Sequence, residues 1–168
     1  MVTESEGGRF AEFAEPVIRV LGNAQNIAKG FNHRNVDTIH LAGACIKEVG
    51  VATFLTQAGV KVNKTLDLVA SGLSEYNPSF ESEGLTPKAK TVVEHCVGEA
   101  RRVKATHIEA MHLLTGLLEA DEEVGKFFET PKLTLEQLRK QAAAFNDRHN
   151  SIARMIQASI LASISEVK

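Results

Sequence analysis

Two histidines stand in matching surroundings about 72 residues apart: His40 before Leu41, and His112 before Leu113. Such a pair could hold a metal or trade protons. Equally, each could be a structural histidine near a helix start, hydrogen-bonded to loop backbone. A zinc site needs three or four ligands at compatible spacing, and no Cys/His cluster is evident, which favours the structural reading. His95-Cys96 places a base next to a thiol in sequence. Adjacent residues on a helix point about 100° apart, however, and do not make a catalytic pair. Cys96 falls on an apolar stripe and reads as a small core residue, as does Cys45. Gly125-Lys126 is followed by Phe127 and lacks the earlier glycine of a phosphate-wrapping loop, so no ATPase activity is expected within the chain. No cofactor and no metal are expected. Arg101, Arg102 and Lys104 make a basic spot. It reads as a solvated helix end that complements the dipole, or as a patch that steers an acidic adaptor or an ATPase into place.

Composition narrows the classes further. The net charge is −2, there is no Trp, and Tyr76 is the single tyrosine. A nucleic-acid binder needs clustered cations and stacking rings, so none is expected. No apolar run is long enough for a membrane span. Two cysteines are too few for a disulfide scaffold and point to a reducing compartment, the cytoplasm or, if a targeting segment was removed, an organelle interior.

The elements that must position these residues read as helices. Phe13, Val17, Val20-Leu21, Ala24 and Ala28 recur at helical spacing from near Phe10 to Gly30, with Pro16 admissible only in a first turn. Asp37-Thr38 caps a second helix to about Val49, broken at Gly50. Val51–Ala58 is a third, ended by Gly59, and Asn63 caps a fourth through Leu73. The second half repeats the order. Thr86 caps a helix with Pro87 at its first position. His112–Glu119 follows, then Val124–Phe128, then a helix capped by Thr134. Asn146–Asn150 reads as a break, and Ile152, Met155-Ile156, Ile160, Ile164 and Val167 as a stripe on one more helix. The expected layout is a disordered lead-in (1–8), repeat one (9–73), a linker (74–84), repeat two (85–145) and a C-terminal helix (151–168). The fold class is all-α: two pseudo-symmetric four-helix repeats plus that helix.

The second repeat carries Leu85-Thr86-Pro87-Lys88-Ala89-Lys90, then Glu99-Ala100-Arg101-Arg102, then Ile108–Leu118 (IEAMHLLTGLL). This resembles the N-terminal repeat domain of the Clp/Hsp100 protein-unfolding machines. The resemblance covers 9–145 and not the tail. It implies a non-catalytic protein-binding module, a substrate- and adaptor-docking domain that precedes ATPase rings. The implied partners are Clp-type ATPase or protease subunits, adaptors and substrate proteins. The family usually has Glu-His-Leu-Leu where this chain has Ile39-His40 and Met111-His112. In Clp-C-type members that Glu is implicated in recognising phosphorylated arginine, so the resemblance implies an apolar ligand here instead. Thr86 matches the family's opening Thr, and Ala14 stands in the other copy. By resemblance, Ile39, His40, Thr86, Met111 and His112 are the groove-lining candidates.

Three functions compete. One is a stand-alone accessory or adaptor-like protein of a Clp-type protease or unfoldase. Another is a detached N-terminal domain of a full Clp ATPase. The third is a small helical hydrolase or redox protein sharing the bundle. A linker to a ring should be polar and flexible. The apolar stripe of the tail favours the first. That tail is expected to pack back on its own domain, to pair with a second copy or a partner helix, or, least, to lie on a membrane surface.

Overall fold

Pro16 has no N–H to donate, so it dictates where the first helix can begin. In the computed structural model, which describes residues 12–77 and 83–166, α1 spans Glu15–Gly30 with Pro16 in its first turn. The helix expected from near Phe10 thus starts at Glu15, because residues 12–13 run extended and Pro16 must sit in the first turn; the lead-in 1–8 lies outside the described residues. Before α1 runs a two-residue strand, β1 (Glu12–Phe13). After it come β2 (Asn35–Val36), α2 (Thr38–Ile46), α3 (Val49–Ala58) and α4 (Val62–Glu75).

Two expected boundaries move. The break after α2 falls at Lys47-Glu48 and not at Gly50. There the Glu48 carboxylate accepts the Val51 N–H at 3.0 Å and starts α3, leaving Gly50 inside that helix. Asn63 likewise lies inside α4, whose first turn is held by the Lys61 carbonyl accepting from Thr65 N–H. Gly59 does end α3, at a φ of +96° that glycine adopts without a Cβ penalty.

The second half lays out in the same order. β3 (Gly84–Leu85) leads into α5 (Pro87–Arg102), whose cap Thr86 accepts the Ala89 N–H at 3.2 Å. β4 (His107–Ile108) leads into α6 (Ala110–Ala120). The expected third helix is one α turn, α7 (Glu122–Gly125), continued by a 3-10 turn, Lys126–Phe128. Thr134 and Gln137 then cap α8 (Leu135–Glu166) reciprocally.

The strands were not anticipated. Their pairings are parallel and cross between the halves: Glu12–Phe13 against His107–Ile108, and Asn35–Val36 against Gly84–Leu85. Two residues per strand carry no readable alternation, which is why the sequence hides them. The linker therefore ends in a strand at Gly84, and residues 74–75 close α4; 78–82 lie outside the described residues.

α2 and α6 form the centre. Every residue of α2 and all of α6 from Ala110 to Leu118 are buried, wrapped by α1, α4, α5 and α8. α5 and α6 approach closely at Gly116, where a Cβ would stand 2.5 Å from the Val92 carbonyl oxygen.

The break expected at Asn146–Asn150 is absent. α8 runs through it without interruption, so no separate helix begins at 151. Those polar residues are tertiary anchors and not loop formers. Buried Asn146 donates to Thr115 Oγ1 at 2.9 Å and to Glu99 Oε1 at 3.2 Å, and Asn150 donates to the Val103 carbonyl. Beyond them every residue from 151 to 166 is exposed, so the tail does not fold back on its domain.

Candidate functional site

Asp37 ties the two halves together. As the N-cap of α2 its Oδ1 accepts the Thr38 N–H at 2.8 Å, a local consequence of an aspartate at a helix start. The same oxygen accepts the Thr86 hydroxyl at 2.8 Å from the second half, and Oδ2 accepts the Tyr76 hydroxyl at 2.8 Å from the end of α4. Thr38 Oγ1 donates to Asp121 Oδ2 at 2.6 Å, and Asp121 in turn caps α7. One polar cluster therefore joins the starts of α2, α5 and α7. Burial pushes the Asp37 carboxyl up, but the hydrogen bonds from Thr86, Thr38 and Tyr76 together hold it below its ordinary value. Burial and the Asp37 hydrogen bond push the Tyr76 phenol well up.

Both sequence-marked histidines are third residues of capping boxes. The Asp37 N–H donates to His40 Nδ1 at 2.8 Å, and the Glu109 N–H donates to His112 Nδ1 at 2.9 Å. Because Nδ1 accepts, the neutral His40 ring carries its proton on Nε2, where His33 Nδ1 receives it at 2.8 Å. The structure therefore favours the structural histidine over the metal or acid–base pair. Among the described residues no group of three or more His, Cys, Asp or Glu is placed to hold a metal.

His40 is fully buried, and burial followed by the neighbouring His33 lowers its pKa from 6.5 to about 4. Burial also lowers His112. The unfolded chain binds a proton at His40 below about pH 6.5 that the folded chain refuses until about pH 4. Stability from this group is complete above pH 6.5 and is lost as pH falls through that window. At about 1.4 kcal/mol per unit the loss approaches about 3 kcal/mol. Thermal melts should show the midpoint falling steeply from pH 7 to pH 4.5. A His40→Gln variant should start lower and fall less; parallel curves would refute the assignment.

All five predicted groove residues are buried. Ile39, the most exposed, shows 8% of its surface; Thr86, Met111 and His112 show less, and His40 none. They do not line an open groove. Ile39 fills the space over Gly72, where its Cδ1 would stand 2.7 Å from an added Cβ, and Met111 lies within the wholly buried run of α6. The expected apolar ligand surface at Ile39 and Met111 is thus core. Burial pushes the Cys96 thiol up to about 12 and the Cys45 thiol further, so neither is a poised nucleophile.

Of the basic spot, Arg102 is committed internally, while Arg101 and Lys104 are exposed. Arg102 grips Glu99 through Nε at 2.8 Å and Nη2 at 2.7 Å, and reaches Asp147 on α8 at 3.1 Å. That grip holds the Glu99 carboxyl below its ordinary value. Lys104 sits at a positive φ in a turn pinned to α8 by Asn150 and by Arg154, whose Nη2 donates to the Lys104 carbonyl at 3.3 Å.

Two depressions lie on the outer side of the leading helix pairs. Between α5 and α6 is a depression of about 430 Å³ lined by Glu94, His95, Gly98, Glu99, Arg102, Thr115, Gly116 and Glu119. Between α1 and the α2–α3 corner is a smaller one of about 170 Å³, with Arg19, Asn23, Lys47 and Glu48 at its edge. Sequence reasoning missed both, and Tyr76 and Asp121 as hub members. The signal for the larger groove was Gly116 inside an otherwise bulky apolar helix, a mark of close backbone approach.

Comparison with known proteins gives these features a context. The family model described as the Clp repeat (R) N-terminal domain matches residues 12–131. The chain is 30% identical over 135 residues to the ATP-dependent Clp protease ATP-binding subunit ClpC of Staphylococcus epidermidis. The match covers 79% of this chain and 16% of that protein, so the chain spans about one-sixth the length of such relatives. The Staphylococcus aureus ClpC subunits are 29% identical over the same length. Among solved structures, the Hsp104 N-terminal domain from Candida albicans superimposes with a TM-score of 0.67 at 20% identity, covering 78% of this chain and 89% of that one. The N-terminal domain of the chaperone ClpD from Arabidopsis thaliana gives 0.64 at 24% identity, covering 83% and 97%. The helical order set by Pro16, Asp37, Thr86 and Glu109 is thus the architecture of these N-terminal domains, and the chain belongs to the Clp repeat N-terminal domain family.

Proposed function

We propose that the chain is a non-catalytic docking module of a Clp-type unfoldase or protease system, working as an accessory or adaptor-like protein that captures a partner without transforming it. The observation that carries this reading is the open α5–α6 groove on a family scaffold whose His40, Thr86, His112 and Arg102 are used internally. Its rim glutamates, Glu94 and Glu119, are exposed, Glu119 with Arg139 at 4.0 Å, while Glu99 on its floor is neutralised by Arg102. A partner segment bearing Lys or Arg fits that charge pattern, and such complementarity governs orientation and on-rate. The buried, high-pKa thiols support a binding role over a catalytic one.

The test is affinity capture from native lysate, with and without ATP, using the wild type and Glu94→Lys/Glu119→Lys. The wild type should recover a Clp-type ATPase or protease subunits, and the charge-reversed variant at least about tenfold less, near 1.4 kcal/mol. Recovery of neither under both conditions would remove the Clp-partner reading. Equal recovery by both proteins would move the docking surface elsewhere.

The length of the relatives favours one second reading, in which the same docking domain forms the front of a full Clp ATPase. An antibody to this domain separates the two in its native cells. A band near 18.2 kDa supports the stand-alone protein, and a much larger one the ATPase.

A further inference from the structure

The exposed half of α8 is not an arbitrary apolar surface. Eighteen residues make five whole helical turns. Ile156, Ile160 and Ile164 therefore stand directly in line with Leu138, Ala142 and Asn146, the side of α8 that is buried against its own domain. The helix leaves the domain edge and carries its core-facing side out over solvent for sixteen residues, roughly 24 Å. Ile152, Met155, Ile156, Ile160 and Ile164 are each 55 to 71% exposed there.

The geometry points to a second copy of this chain as the occupant, paired antiparallel through these overhangs. The five side chains offer roughly 600 Å² per copy, about three-quarters of the roughly 800 Å² per partner of a standard interface; contact of each overhang with the other domain's edge would supply the rest. Parallel pairing is blocked. The face that must meet the partner is, one segment earlier, the face that holds the domain, so two parallel copies would place both domains between the helices. Antiparallel pairing places each domain at the far end of the other's overhang.

Charge agrees with this arrangement. From 151 to 166 the charged residues are Arg154 and Glu166, and the Lys104 backbone accepts from Arg154. Centring the pair on Ile160 sets Ile156 opposite Ile164 and Glu166 opposite the other copy's Arg154. A membrane surface would want several cations along the polar face, and Arg154 stands alone there.

Sedimentation equilibrium of the full chain should give twice its 18.2 kDa mass. Ile156→Lys/Ile160→Lys should give a monomer whose domain keeps its melting transition. Orientation is read with a short bis-maleimide, since Cys45 and Cys96 are buried. A mixture of Ile156→Cys and Ile164→Cys proteins should cross-link, and Ile156→Cys alone should not. A monomer over a wide concentration range, a dimer that survives the double lysine variant, or efficient cross-linking of Ile156→Cys alone would each overturn the proposal. So would a monomeric chain that pellets with phosphatidylcholine vesicles, which would give the face to lipid.

Discussion

Gly116→Ala should destabilise the domain by about 3 kcal/mol in urea denaturation, although it adds a single methyl group. The methyl carbon would stand 2.5 Å from the Val92 carbonyl oxygen and 2.9 Å from the Cys96 nitrogen. Both are backbone atoms in the middle of α5, and neither can swing aside as a side chain could. Relief requires the two helices to part, and parting them loosens the contacts of Val92, Cys96, Leu113 and Leu117 together. Gly98→Ala is the control. It lies on the same helix pair with nothing within 4 Å, and alanine there should be neutral or slightly stabilising. If Gly116→Ala matched Gly98→Ala, the close approach of α5 and α6 would be wrong.

Asp37→Ala should be as damaging, by about 4 kcal/mol, because several groups lose their acceptor at once. The Thr38 N–H, the Thr86 hydroxyl and the Tyr76 hydroxyl all turn to this carboxylate. Asp37→Asn keeps one acceptor oxygen and should recover part of the loss. Thr86→Ala removes a cap and one donor and should cost about 2 kcal/mol. The double variant should fall short of the sum of the single ones by about 1 kcal/mol, since the two residues share a bond. Strict additivity would mean that they do not interact. The folded Asp37 pKa is depressed, so its contribution is present above the ordinary carboxylate pKa and lost as pH falls through the folded value. The gap between wild type and Asp37→Asn should therefore narrow in acid.

Legibility followed locality. Asp37, Thr86 and Thr134 announce helix starts within four residues of themselves, and each cap lies where its neighbours imply. Gly50, Asn63 and Asn146 misled because the groups that decide them lie elsewhere. Glu48 supplies a cap that overrides the glycine, and Thr115 and Glu99 give Asn146 a reason to sit in a helix core. The candidate site was the least readable part. A helix buried on one side shows its surface by periodicity. TIHLAGACI is buried on all sides, and the corresponding run of α6 nearly so, leaving no pattern to separate an exposed Ile39 or Met111 from a core one. The histidines were readable as structural because a capping interaction is again local. Tyr76, thirty-nine residues from its acceptor, was not.

The crossed strand pairs also bear on how the chain comes into being. β1 finds its partner only at His107–Ile108, and β2 only at Gly84–Leu85. A polypeptide emerging from the ribosome with α1 to α4 complete would therefore hold two open backbone edges. It would also hold a central helix, α2, whose α6-facing side has nothing against it. Those surfaces stay uncovered until α5 and α6 are synthesised, and α8 then adds the last wall of the core.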